Sequence, residues 1–359
     1  MNITNQVPMH LQVSKLSGIG NNEGKNSQVW IAHDPQLKED LILKEISKKS
    51  LDKQNIENYF LEAQILNNGK HPHVMPIRYA AEDDTNIYLT MPYYKKGSLN
   101  SLMDDYSLSV KDIIKYSLDF LSGILYIHIK GFLHLDVKPT NIVINDYDRA
   151  ILTDFGLSKY LDEHGMATQR LQYNLHRSPE SFNTINKTIL DDIYQAGLTL
   201  YRCCNGNKNF HAQFQHLITI NNRDNEKIIH SIQNGNFPNR KFYLPHIPKR
   251  LRNIINKTIH PNPDRRYQTV LDIINALSQV DENLDWKYNY NTETRTHVWV
   301  CDSKNSILTY NIEYCQEQFI TTGKKLTKSS GNEINISKIN GKFDTITQAF
   351  QHLEDKFSI

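Results

Sequence analysis

The stretch from His134 to Asn141, HLDVKPTN, constrains this chain more than any other, because one short loop carries a carboxylate, an ammonium and an amide. Phosphoryl transfer needs those groups: an acid to take or orient the proton of an attacking hydroxyl, a cation to offset charge on the migrating phosphoryl, and an amide oxygen to help hold a metal that bridges phosphates. Asp136, Lys138 and Asn141 are of the right types. Thirteen residues beyond Asn141, Asp154-Phe155-Gly156 adds a second carboxylate next to a glycine that lets the backbone turn tightly. Asn141 and Asp154 become candidate metal ligands on neighbouring loops.

Taken together, in this order and at this spacing, the two motifs resemble the catalytic loop (HRDxKxxN) and the metal-binding DFG of eukaryotic-type serine/threonine protein kinases. The resemblance implies an α+β class and a bilobal fold, with a small β-rich N-lobe and a mainly helical C-lobe. It implies ATP and Mg2+ as cofactors, with Mn2+ as an alternative metal, and a protein as substrate, the chain itself included. Asp136 would then be the base or hydroxyl orienter, Lys138 the phosphoryl stabiliser, and Asn141 and Asp154 the metal ligands.

Upstream, residues 11 to 46 read as short strands around a Gly- and Asn-rich turn: Leu11 to Leu16, the turn Gly18 to Ser27, Val29 to Ala32, and Leu41 to Glu45. In the family such a hairpin lays backbone amides over nucleotide phosphates. With Val29 set on the valine of GxGxxGxV, Gly24 falls on a family glycine, while Asn22 and Ser27 take the other two glycine places. Leu41-Ile42-Leu43-Lys44 resembles the VAIK strand, so Lys44 is the implied phosphate contact, and Ile42 stands where the family usually has alanine. Ile56, Phe60, Ala63 and Leu66 recur at helical spacing and put Glu62 on a helix as the implied partner of Lys44. Met91 resembles the gatekeeper, Pro92 to Gly97 the hinge, and Tyr94 the hinge donor to adenine; Val143 completes the implied nucleotide-binding set.

Ile114, Leu118, Leu121, Leu125 and Ile129 mark the expected buried face of a helix from Lys111 to Lys130 that leads into the central loop. Leu135 replaces the arginine that many kinases place before the catalytic aspartate, which makes this a non-RD loop and argues against control through a phosphate paired to that arginine. His134 is implied to pack under Phe155. Ser178-Pro179-Glu180 resembles the APE ending of the activation segment. Tyr173 stands seven residues before Glu180, where the serine/threonine type usually has threonine. Asp192 resembles the acid that anchors the catalytic loop from below and reads as a buried capping acid, and Arg266 is the implied ion-pair partner of Glu180. A helix from Thr269 to Val280 would close this lobe, and the polar stretch from Asn205 to Lys241 has no assigned role.

Beyond about Asp281, apolar and polar residues alternate over Trp286–Tyr290, Thr296–Cys301, Ile307–Tyr314, Phe319–Thr321 and Ile334–Ile339, and Ile346 to Phe357 reads as one amphipathic helix. The expected layout is a kinase domain over 10–280, with its N-lobe to about 91, hinge at 92–97 and C-lobe at 98–280. A small antiparallel sheet with one helix follows over 282–359. With no catalytic cluster of its own, that module reads as regulatory, a place for a partner protein, and its border as one that tolerates a cut.

At 359 residues there is room for more than one compact unit. A formal charge of +2 with well-mixed signs gives no case for nucleic acid or an acidic membrane. Four cysteines without CxxC spacing argue against a disulfide framework or zinc site and for a reducing, cytoplasmic setting, with delivery into another cell left open. No apolar run approaches a membrane span, so no membrane insertion is expected. Two rival readings share parts of the pattern. A pseudokinase scaffold would explain the worn Gly loop, Leu135 and Tyr173, but not the retention of Lys44, Asp136, Asn141 and Asp154. A small-molecule kinase would share HxDxxxxN but not the SPE ending or the DPxxR-like turn at Asn262 to Arg266.

Overall fold

The computed structural model describes residues 11–19, 27–50, 71–105, 107–170 and 173–357, and the chain divides after Lys95 into two compact units.

The first unit is built on an antiparallel sheet of β1 (Ser14–Ile19), β2 (Ser27–Asp34), β3 (Glu39–Ser47), β4 (Tyr79–Glu82) and β5 (Asn86–Pro92), in the order β1-β2-β3-β5-β4. Gly18, expected in the turn, pairs with Trp30 inside β1 instead. The period of two divides the side chains of β3 cleanly between faces. Leu41 and Leu43 bury with Ala32 on one face, against Trp30 and Tyr88. Lys44 falls on the other, where Val29 and Leu89 are its register partners, and Ile31, Ile42 and Met91 align two residues along. β4 escapes a sequence reading because its side chains are nearly all exposed, so it carries no alternation. The expected helix around Glu62 and the turn residue Gly24 lie outside the described residues.

The second unit is mainly helical up to residue 280. It comprises α1 (Leu99–Asp105), α2 (Val110–Ile129), α3 (Ile189–Asn205), α4 (Asn207–Ile220), α5 (Asn225–Gln233), α6 (Lys249–Thr258) and α7 (Val270–Leu277), with the short strands β6 (Phe132–Leu133), β7 (Ile142–Ile144), β8 (Ala150–Leu152), β9 (Lys159–Tyr160), β10 (Ala167–Thr168) and β11 (Asn186–Lys187) between α2 and α3. Ser109 and Asp112 form a reciprocal cap that starts α2, and Thr188 with Asp191 does the same for α3. The capping acid is therefore Asp191; Asp192 points elsewhere. The buried face of α2 is rotated from the expected one: Ile113, Phe120, Leu121, Ile124 and Ile127 are buried, whereas Ile129 is 74% exposed. The helix packs against α7, α3 and the strand Ala150–Leu152, so apolar residues lie on two adjacent stripes and periodicity alone does not choose between them. α3 is buried along almost its whole length. The polar stretch after it folds as α4 and α5, anchored by Phe210, Leu217 and Ile232.

Residues 286–343 form one antiparallel sheet of β12 (Trp286–Asn291), β13 (Thr296–Asp302), β14 (Ser306–Cys315), β15 (Gln318–Thr327) and β16 (Glu333–Asn335), with β17 (Gly341–Phe343) also paired to β15. The helix α8 (Ile346–Glu354) covers it around a core of Trp286, Trp299, Tyr310, Ile312, Ala349, Leu353 and Phe357. The segment expected as one strand over 334–339 breaks into β16 and a tight turn at Ser337–Ile339. That turn brings Ile339 so close to β15 that a Cβ on Gly323 would meet it at 2.6 Å.

This sheet is joined to the helical part by specific bonds. The Lys111 amide donates to Leu284 O at 3.0 Å and Asn283 Nδ2 to His246 O at 2.9 Å. Trp299 Nε1 donates to His246 Nδ1 at 3.1 Å, and Arg252 pairs with Glu354. His246 is 1% exposed, and burial, with a smaller push from Arg252, lowers its pKa to about 3. The folded chain thus keeps this ring neutral while an unfolded chain would take a proton near the ordinary value of about 6.5. Stability from this group is complete above pH 6.5 and falls by about 1.4 kcal/mol per unit as pH drops towards 3. Denaturant midpoints are expected to fall between pH 7 and 5 by the equivalent of about 2 kcal/mol from this ring. His246→Asn, which keeps an acceptor for Trp299, is expected to flatten that part of the curve; an unchanged slope would contradict it.

Candidate active site

The site is carried by the loop between β6 (Phe132–Leu133) and β7 (Ile142–Ile144), together with the turn after β8 (Ala150–Leu152). β7 and β8 pair with Ile142 opposite Leu152, and the Thr153 amide donates to Asn141 O at 2.9 Å. That hairpin register sets the motifs HLDVKPTN and DFG side by side, although Asp154 lies thirteen positions beyond Asn141.

Side chains hold the loop backbone almost atom by atom. Asp192, fully buried on α3, accepts from the amides of His134 at 2.8 Å and Leu135 at 2.7 Å and bonds His128 Nε2 at 2.8 Å. Burial opposes the charge of Asp192, yet the bonds from His128 and the loop hold its pKa below the ordinary carboxylate value. Gln195 accepts from the Val137 amide at 2.8 Å and donates to Leu135 O at 3.1 Å. Such bracing matters because Leu135 and Asp154 both have positive φ, +64° and +61°, a region that costs non-glycine residues on the order of 1–3 kcal/mol. Phe155 packs against His134 with ring centroids 4.9 Å apart, as the resemblance implies.

Asp136 is 6% exposed, and its two oxygens differ. Oδ2 accepts from Asn141 Nδ2 at 2.8 Å and lies 3.1 Å from Lys138 Nζ. Oδ1 is buried without a hydrogen-bond partner among the described residues. Burial raises the carboxyl pKa above the ordinary value, Lys138 pulls against that rise, and the nearby charge of Asp154 adds to it. The ammonium of Lys138 also sits 4.6 Å from the centroid of the Tyr173 ring. Asn141 spends its Nδ2 on Asp136, at O and Oδ2, which leaves its amide oxygen on the acceptor side of the group. Asn141 Oδ1 and the Asp154 carboxylate are oxygen donors of the kind a hard divalent cation takes, and these two residues would hold it.

The implied nucleotide residues of the first unit share one sheet face: Val29, Lys44 and Met91, with Ile42 beside them. Ser27 opens β2, Tyr94 follows β5, and Val143 lies in β7 of the second unit, bridged to Ser98. Gly24 and Glu62 lie outside the described residues. Away from the reacting groups, Arg266 meets Glu180 through two parallel bonds of 2.7 Å, as the resemblance implies. Gln195 is a loop-holding residue that sequence reasoning passed over. Its signal was an amide three residues after Asp192, hence on the same face of a helix otherwise apolar there.

A family model described as "Protein kinase domain" matches residues 14–277. Serine/threonine-protein kinase PknD of Protochlamydia amoebophila is 23% identical over 333 residues, covering 77% of this chain and 32% of the relative. Serine/threonine-protein kinase ULK3 of Xenopus laevis is 28% identical over 234 residues, 64% of this chain and 47% of that one. Serine/threonine-protein kinase PrkC of Bacillus subtilis is 28% identical over 247 residues, 66% and 37%. The chain thus spans about a third to a half of the length of these relatives.

Proposed function

The chain belongs to the protein kinase family, and from that premise we propose that it transfers the γ-phosphoryl group of ATP to serine or threonine hydroxyls of proteins. Its fold is the bilobal protein kinase fold, a β-rich N-terminal part and a helical part, followed by a further β-rich region. The observation that carries the reading is the asymmetry of Asp136. One oxygen is fixed by Asn141 and Lys138, and the other is a buried acceptor without a partner among the described residues, ready for a substrate hydroxyl. Lys138 would offset charge on the migrating phosphoryl, and Asn141 and Asp154 would hold Mg2+, or Mn2+, against the phosphates. The bound metal would neutralise charge on the transferring group. The family resemblance implies Gly24, Ser27, Val29, Lys44, Glu62, Met91, Tyr94 and Val143 as nucleotide residues, and in the first unit Val29, Lys44 and Met91 lie on one sheet face. The relatives' names favour serine and threonine over tyrosine.

For residues 282–359 the reading is a regulatory or partner-binding module that is docked on the helical part. A cytoplasmic setting is favoured by four free cysteines, three of them buried. No helix among the described residues is long and apolar enough to cross a membrane.

ATP with Mg2+ should raise the melting temperature of the purified chain by several degrees through preferential binding to the folded state. Asp154→Asn should lose the metal-dependent part of that rise. No stabilisation of the unmutated chain at millimolar ATP and Mg2+ would remove the basis for the assignment.

Control of the site should not need a phosphate. Leu135 is fully buried with Leu133 and Ala167, and Leu161 and Ile189 pack against them. An apolar contact to the activation segment thus stands where a phosphate-binding arginine would be. Phosphatase treatment followed by an initial-rate assay is expected to leave the rate within about twofold of the untreated enzyme, well short of the large changes seen where such a phosphate orders the loop. Loss of most activity, matched in Thr168→Ala, would contradict this.

A further inference from the structure

The short turn Asn174–His176 near the end of the activation segment lies directly against the catalytic loop. His176 is fully buried, with Nδ1 3.0 Å from Val137 O and Nε2 3.0 Å from Arg202 Nη1. A guanidinium has donors only, so Nε2 must accept. The ring proton therefore sits on Nδ1, and Nδ1–H donates to the Val137 carbonyl. Burial and the Arg202 charge both keep the ring neutral, which this pattern requires. Arg202, 3% exposed on α3, is itself held in orientation: its Nε and Nη2 donate to Asn207 Oδ1 at 3.0 and 2.6 Å, and Nη2 donates to Asn100 Oδ1 at 2.7 Å.

Val137 is the residue between Asp136 and Lys138. Its amide is taken by Gln195 and its carbonyl by His176, so the two peptide groups that flank Val137, one towards Asp136 and one towards Lys138, are each fixed by a side chain from outside the loop. We propose that His176, locked in its Nδ1–H tautomer by Arg202, is a positioning residue that sets the Asp136–Lys138 pair through the Val137 carbonyl. Neither side chain touches the reacting atoms. The inference rests on the kinase reading for its effect on rate, but the tautomer itself does not.

Two measurements separate these levels. In the unmutated protein, the nitrogen and proton shifts of labelled histidine should show His176 protonated on Nδ1 and bare on Nε2; Arg202→Met should allow the other tautomer to appear. In the kinase assay, His176→Phe keeps a ring but no donor and should lower kcat by about 10- to 100-fold, the scale of a small misplacement of catalytic groups. KM for ATP should change by less than about threefold, since the nucleotide residues are untouched. His176→Asn places an amide nitrogen at nearly the Nδ1 position and should recover most of kcat. A proton on Nε2 in the unmutated protein overturns the proposal whatever the activity. So does a His176→Phe enzyme of ordinary kcat, or a His176→Asn enzyme no better than His176→Phe. Should His176→Phe fail to fold, the tautomer and the kcat of the Arg202→Met and His176→Asn proteins decide. An unmutated protein without kinase activity, but with the expected tautomer, would refute the function and leave the hydrogen-bond chain standing.

Discussion

Asp136→Ala is expected to lower turnover by about 10²- to 10⁴-fold, the range found when a positioned acid or base is removed. The change deletes the buried acceptor Oδ1 and also frees Lys138 and Asn141, whose bonds to Oδ2 hold one another in place. Because Asn141 also donates to the backbone carbonyl of residue 136 at 2.9 Å, a bond that survives the substitution, the loop should keep its course. The melting temperature and ATP affinity of the variant should therefore stay near those of the unmutated protein while kcat collapses. Equal losses in folding and activity would mean that the carboxylate is structural. An unchanged kcat would remove it from the chemistry.

The second large effect concerns the C-terminal module. A chain ended at Asp281 loses the Trp299–His246 bond, the Asn283 bond to His246 O, the Leu284 acceptor of the Lys111 amide and the Arg252–Glu354 pair. It also uncovers His246, against which Tyr288 and Phe357 pack with centroids 6.2 Å away. Three hydrogen bonds at about 1 kcal/mol each, with the reopened contact surface, amount to roughly 4 kcal/mol or more. For a unit of this size the melting temperature should fall by about 10 °C or more. Alternation of apolar residues suggested a module with its own core and a border that tolerates a cut; the core is present, and the contacts across the border argue for a dependence of the helical part on it. Thermal melts of the 1–281 chain decide. A truncated protein as stable as the full chain would show that the seam contributes little.

How much could be read beforehand follows from what each element asks of its residues. The two motifs of the site were legible because phosphoryl transfer limits the residue types, and the short β7–β8 hairpin leaves few ways to bring Asn141 and Asp154 apart. β12 to β15 were legible because each has one face on a core of Trp286, Trp299 and Tyr310, whereas β16 is exposed on all three of its residues. β4 gave no such contrast, being exposed on nearly all its side chains. The buried face of α2 departs from the one expected because a helix covered on several sides has more than one apolar stripe. Least legible were the long-range polar contacts. Nothing local in the sequence links His176 to Val137, 39 positions away, or His246 to Trp299, 53 away, and those bonds exist only once the elements have packed. Asp192 illustrates the same point: its neighbour Asp191 takes the cap, which releases Asp192 to hold a loop 57 and 58 residues upstream.

Transfer of phosphate from ATP to protein hydroxyls at the Asp136 loop is the step on which the assignment rests. Its most direct test is incubation of the purified chain with γ-labelled ATP, Mg2+ and a mixed protein substrate, with Asp136→Ala in parallel, followed by acid hydrolysis and separation of the phosphoamino acids. The account predicts label on phosphoserine and phosphothreonine with the unmutated chain and background alone with the variant. Label confined to phosphotyrosine or to small molecules, label equal in both samples, or none in either across a range of protein substrates, would contradict it.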